Sequence, residues 1–559
     1  MALAWTCSCG QAEKANVGIF EYRDVYLPDY NKKDNAALQL NHIDEDWGIW
    51  GHNLGSVLPD NPSKQIYAKV NGGVDKDQFC FSNEKLYDYI VDYINNQYTF
   101  DENVRFAILP NDNDIVCLCN DCVRLGNSAG NAAPAVFHLI EKLSAEFPQH
   151  MFFTSYYSTT TALPDRKMPK NAGVLVSAMD YPLTAGENPQ EMKFLELLNQ
   201  WKEVTDKIYV WDYINNFDDY FTPYPVFNVV QHRLSLYKDA GVNGVFLNGS
   251  GNDYSTFGKI KKAVLAKMLE DPSADWKMVL RDYLNKNYPV SGQDIANFII
   301  LQENMVERNG VALPMYEGID VEAKTYLPKR EFLDFYNKVV MHKKIAEGSE
   351  KEELERLSDA MALTLLEMKR VSGDVTDTEK LKERLRRLIP NGTLYYNEGC
   401  WSIAEFLENY EFMENNAEET AETNLLKGVM LKPLTPLDED YSDISIVTDG
   451  LLGIPSNYHD GNLISSADPA LTISIPRQPG MKKIKVWMVY NPGFKIGLPE
   501  EVYVTVNGVR KAPQVPEKPQ KHSGHSILEF DVDGTGDIIL TLKKNTEVKT
   551  MAIDEIQAF

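Results

Sequence analysis

No run of apolar residues in this 559-residue chain approaches the roughly 20 that a membrane-spanning helix needs, so no transmembrane segment is expected. Positive charge is scarce. Lysine and arginine total 56 against 81 aspartates and glutamates, a formal net charge of −25. Such a surface repels phosphate backbones, which argues against nucleic acid as a partner. No glycine-rich phosphate loop follows an apolar segment, which argues against a nucleotide site. An HExxH zinc motif and a GxSxG nucleophile elbow are both missing, which lowers the metalloprotease and serine-esterase readings. Internal repeats and low-complexity tracts are missing too.

The first residues, MALAWTCSCG, lack the basic and apolar regions of a secretory signal. Ala2–Cys9 reads either as the stub of a lipoprotein or signal segment or as an artificial start. What the chain does contain is ordinary for a soluble globular protein, 43% hydrophobic and 25% charged, which excludes a disordered, collagen-like or disulfide-knot protein. Aromatics reach 11%, with 29 tyrosines, suited to stacking on sugar rings but equally to filling large cores.

Cysteine is sparse, seven in all, yet three stand in Cys117-Leu118-Cys119-Asn120-Asp121-Cys122, with Cys80 as a candidate fourth. Thiolates at this spacing can hold Zn²⁺ or another soft metal in a structural site. The second paired motif of a zinc ribbon is missing, so a local disulfide or simple packing cysteines stay open.

Alternating strand and helix patterns fill the first half. Strands are expected at 19–26, 36–43, 78–82, 104–110, 151–157, 173–179, 207–213 and 244–248, with helices at 84–96, 133–147, 191–205 and 226–240. Eight such units in about 240 residues match a (β/α)8 TIM barrel, with a doubly wound sheet as runner-up. Apolar spacings of three and four then mark a helical region, and after a proline-containing linker (432–440) the period becomes two, as in an antiparallel β-sandwich. The expected division is an N-terminal stub (1–16), a catalytic barrel (17–258), an α-helical region (259–431) and a β-sandwich (432–559).

Barrel enzymes work just beyond the C-terminal ends of their strands. That rule selects Arg23, His42, Asn83, Asn111, Asp112, Tyr156, Asp180, Trp211, Asp212, Tyr213 and Asn248, with Asp44, Glu45, His52, Asp114, Tyr157 and Asp253 nearby. Glycoside cleavage needs two carboxyl groups across the scissile bond, and Trp and Tyr offer platforms for sugar faces. Asp112, Asp212 and Asp180 are the candidate catalytic carboxylates. Each has a plainer reading: an Asx turn for Asp112, a loop anchor or a pair with a buried arginine for Asp212.

The segments Phe20–Tyr26, Cys80–Asn83, Pro110–Asp112 with the cysteine cluster, Tyr209–Phe217 and Gly241–Phe246 resemble, in order, the bacterial family defined as domain of unknown function 4838, whose members look like glycoside hydrolases. The family is similar in architecture to α-glucuronidases and β-hexosaminidases, which use a (β/α)8 barrel with a catalytic acid after strand four. The resemblance implies that role for Asp112. It also implies an N-terminal α/β domain that this chain would lack. After the last barrel strand the family often carries Phe-Glu-Gln-Gly, where this chain has Phe246-Leu247-Asn248-Gly249. Thr448–Leu463 resembles a galactose-binding-like, discoidin-type domain, a class that often binds carbohydrate.

The expectation is therefore a glycoside hydrolase acting on a complex polysaccharide or glycan. Asp112 serves as acid and Asp212 or Asp180 as base or nucleophile. Arg23, His42, Asn83, Asn111, Tyr156, Trp211, Tyr213 and Asn248 bind substrate, with Arg23 suited to a uronic acid. No cofactor is needed for catalysis, and Cys80, Cys117, Cys119 and Cys122 form a candidate structural metal site. The alternatives are a non-catalytic glycan-binding protein, motivated by Leu247, and a structural assembly protein. The family resemblance places the protein in the periplasm or at the cell surface. Oligomeric state is not legible.

Overall fold

The computed structural model describes residues 19–559 except 100–101, 187, 375, 392–393, 422–423, 440, 456–462, 467, 520–522, 547 and 549. The stub at 1–16 and part of the discoidin-like segment (456–462) lie outside the described residues. The chain divides into two compact units. Among the described residues, one comprises 19–214, 227–249 and 259–283, and the other 215–226, 250–258 and 284–559.

The first unit is built on a seven-stranded parallel sheet. Its strands are β1 (Tyr22–Tyr26), β2 (Trp47–Ile49), β5 (Arg105–Ala107), β6 (Met151–Tyr156), β7 (Ala172–Ser177), β8 (Ile208–Tyr213) and β9 (Gly244–Asn248), in the order β1-β9-β8-β7-β6-β5-β2. A separate antiparallel hairpin joins β3 (Tyr67–Val70) to β4 (Gly73–Phe79). β1 and β2 are the two edges of the sheet, yet the Tyr22 and Trp47 rings meet edge-on with centroids 6.0 Å apart. The sheet therefore curls until its edges face each other. Asn41 bridges toward the gap, its N–H donating to Arg23 O (2.7 Å) while its side-chain oxygen accepts from Arg23 N (2.9 Å).

Two of the eight expected barrel strands are not strands of this sheet. Residues 36–43 overlap a short helix (Lys32–Ala37) and the turn after it, and pairing begins only at Trp47. Residues 78–82 hold the end of the hairpin strand β4, whose partner is β3. The apolar signal there was real but served a hairpin.

Helices follow the strands and cover the outer face. Glu84–Gln97 starts at Asn83, whose side chain accepts from Lys85 N, and it buries Leu86, Ile90 and Ile94 at spacings of four. Pro189–Lys202 starts with an Asn188 cap and proline in its first turn. The apolar stripe of Glu84–Gln97 meets outward-facing strand residues such as Phe106 and Phe152. The inner face of the sheet is aromatic: Tyr22, Trp47, Phe153, Tyr209 and Phe246 form one cluster.

The second unit begins with helices. Gly348–Arg370 is buried almost continuously from Leu357 to Met368, so its neighbours surround it on all sides. Phe298 and Phe335 stack at 4.0 Å between two of these neighbours (Gly292–Asn309 and Lys329–His342).

Two antiparallel sheets follow. The five-stranded one contains β10 (Lys432–Pro433), β12 (Ala470–Ile475), β14 (Glu501–Val506), β15 (Val509–Arg510) and β17 (Ile538–Lys543). The four-stranded one contains β11 (Ile464–Ser465), β13 (Lys483–Tyr490), β16 (Gly524–Asp531) and β18 (Ala552–Ala558). They share one apolar core, with Ile473, Val504 and Leu540 from the first and Val486, Phe530 and Ile556 from the second. The expected linker opens with the edge strand β10, a position where Pro433 costs no ladder bond.

Candidate active site

Strand alternation decides which side chains reach the interior of the curled sheet. On β1, Tyr22 and Tyr26 belong to the inner aromatic cluster, and the Tyr22 hydroxyl donates to Asp24 Oδ2 (3.0 Å). Arg23 therefore lies on the opposite face. On β6 the inner residue is Phe153, so Tyr156 points outward and meets Trp201 edge-on at 6.2 Å. Tyr157, one residue later, reaches the mouth, 5.9 Å from the His52 ring. On β9 the inner residues are Phe246 and Asn248, so Leu247 faces outward and is fully buried. It pairs in register with Val25 and Asp212.

Asp212 follows the same rule. Tyr209 and Trp211 on β8 are inner residues, so Asp212 faces the helix Phe227–Asp239. There Arg233 Nη1 lies 2.5 Å from its Oδ1, and the Tyr237 hydroxyl donates to Oδ2 (2.6 Å). Tyr213 N also donates to Oδ1 (2.8 Å). Arg233 donates in addition to the carbonyls of Tyr181 and Pro182 (2.8 and 2.9 Å), tying β8 to the loop after β7. The structure thus contains the pair with a buried arginine that the sequence left open.

The remaining rim is held by a series of contacts along the C-terminal edge. Trp211 lies on Phe246 (centroids 4.2 Å apart), and Phe246 meets Tyr26 at 5.8 Å. Tyr26 meets Trp50 at 6.3 Å, and the Trp50 indole donates to Asp44 Oδ1 (2.9 Å). His52 Nδ1 is 2.6 Å from Pro110 O, at the start of the loop carrying Asp112. Ser158 Oγ donates to Asn113 O (3.4 Å), and the Tyr157 hydroxyl reaches Met179 Sδ (3.8 Å). Ser177 Oγ and the Tyr213 hydroxyl are 3.3 Å apart. The exposed carboxylates Asp112 and Asp180 each lie one residue from a contact with Tyr157–Ser158.

Two candidate amides serve the scaffold. Asn83 caps a helix through its side-chain oxygen. Asn111 donates to Asp77 O (2.8 Å), and its backbone N–H and C=O are both bonded by buried Gln78 (3.0 Å each). Gln78 Nε2 also donates to Asn113 Oδ1 (3.0 Å), so one glutamine at the end of the hairpin holds the Asp112 loop at two residues. Sequence reasoning missed Gln78. Its signal is a polar residue just before the apolar Phe79–Phe81 run.

Beneath the mouth lies Asp24, fully buried. Tyr30 and Tyr22 donate to its Oδ2 (2.6 and 3.0 Å), and Asn35 donates to Oδ1 (3.3 Å). Burial pushes this carboxyl up to about 7, against the pull of the two hydroxyls and the nearby Lys262 charge. Lys262 is lowered, chiefly by its own burial; its ammonium sits 5.2 Å from the centre of the Tyr30 ring and donates to Asp29 O. His42 stacks on the Tyr30 ring with centroids 4.2 Å apart, and its buried Nδ1 has no partner among the described residues.

A second group of polar side chains sits beside the Asp112 loop. The sulfurs of Cys80, Cys117, Cys119 and Cys122 all lie within 4.8 Å of one another. Cys80 follows the hairpin and Cys119 caps the short helix Asn120–Leu125. Among the described residues no helix is long and apolar enough to cross a membrane.

Among solved structures, the chain is similar to a family GH115 4-O-methyl-α-glucuronidase with specificity for decorated arabinogalactans. Identity is 11% and the TM-score 0.35, with 85% of this chain and 66% of that one covered. The chain thus spans about two thirds of that enzyme's length. It is also similar to a GH138 enzyme targeting pectin rhamnogalacturonan II, at 10% identity and a TM-score of 0.32, covering 96% of this chain and 84% of that one. No curated protein matches the chain. The model of the family DUF4838, a domain of unknown function, matches residues 12–299, just over half of the 559, and the chain belongs to that family.

Proposed function

We propose that the chain is a glycoside hydrolase that cleaves a complex glycan by carboxylate acid/base catalysis at the mouth of a barrel of the (β/α)8 type. The observation that carries this reading is the rim itself. Two solvent-exposed carboxylates, Asp112 and Asp180, adjoin Asn113 and Met179, which both contact one short segment, Tyr157–Ser158, and the same rim carries the rings of Tyr26, Trp50 and Trp211. Aromatic faces take the apolar side of a sugar ring, and paired carboxyl groups supply the acid and the base or nucleophile.

In this reading Asp112 donates a proton to the glycosidic oxygen as the bond breaks. Asp180 either activates water or attacks the anomeric carbon. Asp212 is a positioning residue, because its oxygens are occupied on the outer face. Tyr157, Trp211, Tyr213 and Asn248 contact the sugar, while Arg23, facing away, gives no support to a uronic-acid subsite. The Leu247 departure bears on outer-face packing, which removes the motive for a purely glycan-binding protein. The carbohydrate-binding role of a C-terminal sandwich and a location in the periplasm or at the cell surface belong to the same proposal.

The test is product release from a panel of plant, bacterial and mucin glycans by wild type, Asp112→Asn and Asp180→Asn. Loss of one general acid or base costs about 10²–10⁴ in rate. An aryl glycoside with a good leaving group restores the Asp112→Asn variant but not Asp180→Asn. Unimpaired release by Asp112→Asn would overturn its role as acid.

A further inference from the structure

We propose that Cys80, Cys117, Cys119 and Cys122 hold one zinc ion in a closed tetrahedral site that staples the Asp112 loop to the β3–β4 hairpin. The argument begins with spacing. A tetrahedral ion with zinc–sulfur bonds of about 2.3 Å places its four sulfurs roughly 3.8 Å apart. The Cys80 sulfur lies 3.6 Å from that of Cys119 and 3.7 Å from that of Cys122, and all four sulfurs fall within 4.8 Å. Two disulfides would instead sort the sulfurs into pairs about 2.05 Å apart. Here each sulfur has three sulfur neighbours, the arrangement a single central ion requires.

The surroundings supply what thiolates accept. Lys69 N donates to Cys117 Sγ (3.3 Å), and Cys122 N donates to Cys119 Sγ (3.4 Å). Ser82 Oγ stands 3.1 Å from Cys122 Sγ and 3.4 Å from Cys80 Sγ. Such outer donors hold metal-bound sulfurs in orientation. Cys80, Cys117 and Cys122 are buried, as a structural site closed to water demands, and four sulfur ligands leave no open position for substrate.

The site is a staple because its ligands come from two separated segments. Cys80 ends the hairpin, and the other three follow the loop held by Gln78. Leu118 N donates to Lys69 O (2.9 Å), a further stitch between the same two segments. Asp112 lies between the two residues Gln78 holds, Asn111 and Asn113, a few residues before the cysteines. Zinc therefore fixes the loop whether or not Asp112 is the catalytic acid.

The full chain, purified without chelator, is expected to contain about one equivalent of zinc by elemental mass spectrometry. Cys119→Ser and Cys122→Ser lose it, whereas Cys400→Ser keeps it. Cobalt(II) taken up by zinc-stripped protein gives the sulfur-to-metal charge-transfer and ligand-field bands of a tetrahedral thiolate site. Zinc removal raises deuterium uptake across residues 111–122. Folded wild-type protein free of metal and refusing zinc and cobalt after reduction would overturn the proposal. So would disulfides among the four cysteines in freshly purified protein, or iron in place of zinc. These readouts do not involve glycan cleavage, so the zinc and hydrolase readings fail separately.

Discussion

Arg233 reaches from its helix to Asp212 on β8 and closes an ion pair that is all but sealed from solvent, the two side chains being 8% and 1% exposed. Removing one partner of a buried pair leaves an uncompensated charge, at a cost of about 3–5 kcal/mol. Arg233→Met is therefore expected to lower unfolding stability by that amount in denaturant titration. Asp212→Asn keeps two acceptor contacts but strands the Arg233 charge and is expected to lose a similar amount of stability, with product release per folded molecule within about twofold of wild type. A loss of release like that of Asp112→Asn, in folded Asp212→Asn, would return Asp212 to the chemistry.

Leu247 offers a sharper test of the same alternation. It is fully buried on the outer face, between Val25 and Asp212 in register. Leu247→Glu would place a carboxylate beside the Asp212 carboxylate, away from the mouth. It is expected to destabilise the chain by about 3 kcal/mol or more and to give no gain in product release. A stable variant with faster release would show that position 247 reaches the substrate.

These two positions show why the sequence was only partly legible. The repeated strand–helix pattern located most of the parallel strands to within a few residues, because buried parallel strands are short apolar runs bounded by turns. It did not say which face each residue takes, and so it grouped Tyr156 with Tyr157 and Asp212 with Asp180. Nor did it separate a sheet strand from the end of a hairpin at Gln78–Phe79. Strand β18 is hard to read in the sequence for a different reason. Asp554, Glu555 and Gln557 make it read as polar, yet all seven residues are buried. Some of its polar atoms are matched from elsewhere: the Trp487 indole donates to Gln557 Oε1, Gly453 N to Asp554, and Asn424 to Glu555 Oε1, while Glu555 Oε2 and Gln557 Nε2 have no partner among the described residues.

Gly173 on β7 tests how tightly the inner wall is packed. A Cβ there would lie 2.5 Å from Lys207 O and 2.7 Å from the Phe153 ring. The first of these is backbone and cannot swing away. Gly173→Ala is expected to cost about 1–3 kcal/mol, seen as a lowered thermal midpoint. An unchanged midpoint would mean that β7 and β8 can separate without penalty.

Glu322 gives the second unit a pH dependence of definite sign. Burial pushes its carboxyl up to about 8; the nearby Asp219 charge adds to this, and hydrogen bonds from Tyr326 (2.6 Å) and Asn216 (3.0 Å) to Oε1 oppose it. Asp219 is itself raised to about 7, chiefly by burial. A carboxyl raised in the folded state holds its proton after the unfolded chain has released one. The folded state then binds more protons, and unfolding free energy falls as pH rises. For Glu322 the decline begins near its unfolded value of 4.5 and ends near 8, with a slope of up to about 1.4 kcal/mol per pH unit. Glu322→Gln keeps the acceptor for both hydrogen bonds and removes the proton equilibrium. Denaturant midpoints between pH 5 and 8 are expected to fall steeply for wild type and less steeply for Glu322→Gln, with the other raised carboxyls, among them Asp219, Asp24, Asp449 and Glu555, supplying the remaining slope. Parallel profiles for the two proteins would mean that Glu322 is ionised in the folded chain at neutral pH.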